Sequence, residues 1–158
     1  MKRVIVHWTG GVYKPNALDK KSYHVLVAYD QTTQKAYIVE GDKPPEAKLA
    51  MGIALCGMLG ASESGYPIKQ CQYDLMIEDV AAYAKGYGIP ITPTTVLLHS
   101  EVNHNLKVNE RYKCYKWDVN KWDVSYSLRE SFMSAQYAGE MLRERVQAVI
   151  DHNPADVL

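Results

Sequence analysis

The sequence predicts an α/β (or α+β) fold, a small mixed central β-sheet flanked by helices. Three observations predict it. Short β-rich runs recur through the first two thirds of the chain. Two stretches carry an apolar stripe at helical spacing. The length of 158 residues suits one domain with a core of its own. The expected organisation is a single domain over 1–158, ending in a long C-terminal helix at about 127–151.

Residues 3–8 alternate around Val4 and Val6 and predict the first strand. Residues 9–21 are polar, with Gly and Pro, and predict a loop. Ser22 to Tyr29 is β-rich, 30–34 reads as a turn, and Lys35 to Glu40 returns, so 22–40 predicts a hairpin. Residues 41–48 form a charged loop, and the apolar run Met51 to Met58 predicts a buried strand, although periodicity alone leaves a helix open there. Pro67 before, and Gly88 after, bracket a helix reaching about Tyr87. Its expected stripe is Ile68, Cys71, Leu75, Met76, Val80, Tyr83 and Tyr87. Thr94 to Leu98 predicts another strand, and 100–124 reads as irregular. Ser127 with Glu130 forms a capping box for the last helix, whose stripe is Leu128, Phe132, Ala135, Ala138, Leu142, Val146 and Val149.

Composition narrows the function. Lys+Arg and Asp+Glu both number 18, so the formal net charge is zero and a general nucleic-acid binder is not expected. The longest apolar run, Leu49 to Ala61, has thirteen residues, short of the roughly 20 a membrane-spanning helix needs. No apolar leader segment with a small-residue cleavage site opens the chain, so cytoplasmic synthesis without a signal peptide is expected. Cys56, Cys71 and Cys114 include no CxxC pair, which excludes a zinc ribbon. HExxH, GxSxG and GxxxxGK[ST] are absent, which removes the motifs of zincin proteases, α/β-hydrolases and P-loop proteins. The 12 Tyr against one Phe leave room for some tyrosines at a solvent-facing groove, with half-buried packing the ordinary reading of most.

Two of the five histidines fall at telling places. His7 ends the first strand before a Thr-Gly-Gly loop, and His99 follows the strand 94–98. Neighbouring strands that end in His can aim two imidazoles at one point. A catalytic zinc takes three protein ligands and keeps a fourth position open. On spacing alone the third ligand is Asp118, Cys114 or His104, and solvated strand-end histidines are the alternative.

The chain resembles the zinc-dependent N-acetylmuramoyl-L-alanine amidases of type 2, related to peptidoglycan recognition proteins and phage endolysins. Five segments in order carry the resemblance: 4–11 (VIVHWTGG), 23–27 (YHVLV), 52–61 (GIALCGMLGA), 87–102 (YGIPITPTTVLLHSEV) and 116–118 (KWD). The resemblance implies His7, His99 and Asp118 as ligands of one Zn2+ per chain, with Tyr23 and Lys116 beside the reacting centre. It implies hydrolysis of the amide between the lactyl group of N-acetylmuramic acid and L-alanine. Peptidoglycan or muropeptide is the implied partner, with no nucleic acid, no membrane insertion and a monomeric chain. Action on the cell wall after release, for example through a phage holin, or on wall fragments in the cytosol, would suit the expected lack of a leader. The chain departs from the family in three places. Residues 48–51 (KLAM) replace a common Asn and Ser-Ile, Ala54 stands where some relatives carry a catalytic Glu, and Asp118 follows His99 by 19 residues.

The chemistry fits these residue types. Zinc lowers the pKa of water to about 7 and polarises the carbonyl. The Lys116 ammonium and the Tyr23 hydroxyl can donate to the oxyanion, and either can supply the proton to the leaving amine. Trp8, Thr9, His24 and Trp117 are weaker candidates for substrate contact. His24 alternates with Tyr23 in a strand and so would face the other way, as a structural or orienting residue. Glu101 is a candidate to orient His99, against a solvated carboxylate. Two other functions compete with the enzyme: a peptidoglycan-binding module without catalysis, and a protein whose histidines serve only a metal or the core.

Overall fold

A computed structural model describes residues 2–43, 50–60, 64–110 and 135–152. Among the described residues five strands form one mixed sheet: β1 (Arg3–Trp8), β2 (Val25–Asp30), β3 (Lys35–Glu40), β4 (Ala50–Leu55) and β5 (Val96–Leu98). The order across the sheet is β3-β2-β4-β1-β5. β4 runs parallel to β1 and β2, β5 runs parallel to β1, and only the β2–β3 hairpin is antiparallel. The expected α/β architecture is therefore present as a mixed five-stranded sheet with flanking helices. Among the described residues no helix is long and apolar enough to cross a membrane.

Strand alternation divides the sheet into two unlike faces. Val4, Val6, Val25, Val27, Met51, Ile53, Leu55, Val96 and Leu98 fill one face with branched and long side chains. Two long helices cover it, α2 (Gln70–Gly86) and α4 (Ala135–His152), numbered after the short α1 (Ala17–Ser22) and around a one-turn α3 (Val102–Asn105). At about 25 cal/mol per Å² of apolar area, this layer supplies most of the driving force for folding. The other face carries smaller groups: Ala50, Gly52 and Ala54 on β4, and Ala28 on β2. Its apolar residues form two separate clusters, Ile5–Ala50–Leu97–Val102–Leu106 and Leu26–Ala28–Ala54–Cys56. His7 and Gly52 lie on this face between them.

Several boundaries differ from the sequence reading. The stretch 9–21 contains the start of α1, capped by a reciprocal Asn16–Asp19 box, so the hairpin begins at Val25 rather than Ser22. α2 begins at Gln70, and the residues it buries are Gln72, Tyr73, Met76, Ile77, Val80, Ala81 and Ala84, a stripe rotated from the expected one. The small residues Ala81 and Ala84 are part of the buried core, while Tyr87 is left exposed. Gln72 is buried in that interface because its amide is fully used: Nε2 donates to the carbonyls of Val27 and Cys56, and Oε1 accepts from Lys69 N–H. Gly88 ends α2 at a left-handed φ of 65° that Gly takes without strain. In α4, Ala138, Leu142 and Val146 are buried as expected, and the predicted start at 127–134 lies outside the described residues.

Candidate active site

The sheet builds the site from three places. His7 is the fifth residue of β1, on the small-residue face. His99 follows β5 directly and opens a short 3-10 turn, His99–Glu101. Because β5 pairs with β1 in parallel, both histidines arrive at the same end of neighbouring strands. Their Nδ1 atoms lie 3.1 Å apart, and the rings are 4% and 2% exposed. The ring centroids are 4.6 Å apart and tilted by 59°. Tyr23 completes the group from the residue that ends α1, its ring centroid 5.1 Å from that of His7.

Gly52 forms the floor. A Cβ there would sit 3.5 Å from Tyr23 Cδ1 and 3.7 Å from His7 Nε2, so the two rings close over the bare backbone. His24 holds that backbone in place: its Nδ1 accepts from Gly52 N–H at 3.0 Å, and its own N–H donates to the Gly52 carbonyl. An accepting Nδ1 carries no proton, which sets the other nitrogen as the protonated one. Gly41 packs on the same segment, where a Cβ would overlap the Tyr23 carbonyl. Tyr23 and His24 therefore do not alternate as strand residues. They precede β2, and Tyr23 turns in beside His7 while His24 pins β4.

The weaker candidates take other positions. Trp8 is on the opposite face from His7 and packs against the helix-side core. Thr9 ties two loops together, its Oγ1 accepting from Gly11 N–H and Gly57 N–H at 3.2 Å each. His104 is exposed on α3 and meets the Gln136 side chain, so it does not join the histidine pair. Asp118, Lys116, Trp117 and the alternative ligand Cys114 lie outside the described residues. Cys56 ends the small-residue face, and burial pushes its thiol up to about 12, with nearby Asp19 adding to the effect, so it is protonated at neutral pH.

The donor set of the histidine pair fits a zinc ion. Two imidazole nitrogens at 2.0–2.1 Å from a tetrahedral zinc lie about 3.3–3.4 Å apart. The observed separation of 3.1 Å is close to that. Among the described residues no group of three His, Cys, Asp or Glu comes together, so the pair offers two of the three protein ligands that a catalytic zinc takes.

Sequence reasoning named Glu101 as a candidate to orient His99, against a solvated carboxylate, but anticipated neither Gly52 as the floor nor Arg143 as the partner of that carboxylate. Glu101 is 1% exposed, and its carboxylate accepts from Leu98 N–H, Asn105 and Arg143 of α4. The available signal was an Arg one helical turn after Gly139, where only Gly leaves room for the Glu101 carboxylate.

Comparison with models of protein families, with curated proteins and with solved structures finds no match.

Proposed function

We propose that this protein is a zinc-dependent N-acetylmuramoyl-L-alanine amidase that hydrolyses peptidoglycan or muropeptides. His7, His99 and Asp118 would hold one zinc per chain, and the sheet would be the amidase-type sheet that the sequence resembles. The observation that carries the reading is the 3.1 Å approach of two imidazole nitrogens beside Tyr23. These are the same residues that the resemblance nominates, and they are 92 residues apart in the chain.

When bound, zinc supplies Lewis acidity toward the amide carbonyl and a water nucleophile at neutral pH. The protein's own groups do the rest. His7 and His99 present their Nδ1 atoms to each other from strand ends that the sheet holds fixed, and both would have to be unprotonated to bind the ion. Their burial keeps competing water from the donor atoms. Tyr23, its ring beside that of His7, offers a hydroxyl, and Lys116 offers an ammonium. Both donate to the oxyanion that develops on the scissile carbonyl, and one of them protonates the leaving amine of L-alanine. A monomer acting on wall material completes the reading.

A second reading rests on Ala54. It is the register partner of His7 on β4 and brings no carboxylate to the pair. That favours a module of the same fold that binds peptidoglycan without cutting it.

Metal analysis of the purified protein tests the centre. About one zinc per chain is expected, lost in His99→Ala. Full zinc content in His99→Ala would remove the assignment.

A further inference from the structure

We infer that Glu101 and Arg143 are positioning residues that aim His99 at the metal; the inference rests on the reading of His7 and His99 as ligands.

β5 is three residues long and, among the described residues, forms the edge of the sheet and pairs only with β1. The Thr95 carbonyl accepts from Val4 N–H, so by alternation the Val96 carbonyl and the Leu98 N–H point away from β1, along the outer edge. Among the described residues no strand pairs with them there. Instead the Arg143 guanidinium donates to the Val96 carbonyl at 3.1 Å, and Glu101 Oε1 accepts from Leu98 N–H at 3.0 Å. The two side chains are then locked together by a fork of two hydrogen bonds, 3.0 and 3.1 Å. Asn105 donates to the remaining side of the carboxylate, at 3.0 Å on Oε2, and to the Pro93 carbonyl.

His99 sits between Leu98 and Glu101, in the one turn that this pair closes. Its backbone direction is fixed on one side by three residues of sheet and on the other by the carboxylate. The carboxylate is fixed in turn by a residue of α4, 42 positions along the chain. The arrangement is built for close fit, because a Cβ on Gly139 would overlap the Glu101 carboxylate. A planar, bidentate guanidinium satisfies the carboxylate and the strand carbonyl together, which a lysine cannot do. α4 is thus both the cover of the core and the support of a ligand.

The test compares zinc affinity, by competition with a chromophoric chelator, and the visible spectrum of the cobalt(II)-loaded protein. The variants are Arg143→Lys and Glu101→Gln, with Val146→Ala as a core substitution on the same helix. Arg143→Lys should fold, since it keeps the charge, and should bind zinc about 10–100-fold more weakly, as loss of outer-shell support does elsewhere. Its cobalt bands should change shape, and Glu101→Gln should act in the same direction. Val146→Ala should lower Tm at least as much and leave affinity and spectrum as in wild type. Wild-type affinity and spectrum in Arg143→Lys would overturn the inference alone. A wild-type protein that binds neither ion would overturn the metal reading, and the inference with it.

Discussion

His7 Nδ1 and His99 Nδ1 are 3.1 Å apart, brought together by the parallel pairing of β1 and β5. At least one of the two nitrogens bears no proton, because a contact of that length needs an acceptor lone pair. Two strand ends thus bring two buried imidazoles into direct contact inside the protein.

The third ligand is the first thing to test. Asp118→Ala should abolish zinc binding, and Cys114→Ala should leave it largely intact, as read by metal analysis after dialysis. The reverse pattern would move the ligand from the carboxylate to the thiolate.

Lys116 and Tyr23 are assigned to the transition state and not to the metal. Interactions made there lower kcat and kcat/KM together. Lys116→Ala should keep its zinc and its Tm and lose about 10²–10³-fold in kcat, the range for one oxyanion donor. Tyr23→Phe, which deletes only a hydroxyl, should lose a similar or smaller factor. Lower Tm with normal turnover would instead mark these residues as structural.

Much of the strand framework was legible in the sequence because alternation and turn residues agree. β1 and β3 fall where Val4–Val6 and Lys35–Glu40 place them. The two histidines were legible because each sits where a strand meets a Gly-rich or irregular segment. Other features depend on distant contacts and left little local trace. The buried face of α2 is rotated because it includes Ala81 and Ala84, which a search for large apolar residues passes over. Tyr23 faces His7 because α1 ends there and the strand starts two residues later, at Val25. The bond between Arg143 and Glu101 joins residues whose proximity no local pattern encodes.

Asp79 of α2 gives a pH-dependent stability. Burial pushes its carboxyl up to about 6, and its Oδ2 has no hydrogen-bond partner among the described residues. A folded-state value above the unfolded one means that the group's stabilising contribution is present below the ordinary value of 3.8 and lost as pH rises through about 6. Asp79→Asn should therefore stabilise the protein at pH 8 by about 1 kcal/mol, well under the full linkage value because the carboxyl is partly exposed. That is roughly 2–4 °C in Tm for a chain of this size. The gain should vanish at pH 4, and an equal gain at both values would show that the carboxylate's charge is not the cause.

The most direct test of the central claim is the chemistry of the products released from purified peptidoglycan. Mass analysis and end-group labelling should show free N-terminal L-alanine amines appearing with time, with the glycan strands left uncut. Growth of reducing sugar ends without new L-alanine amines would make the protein a glycosidase and contradict the account.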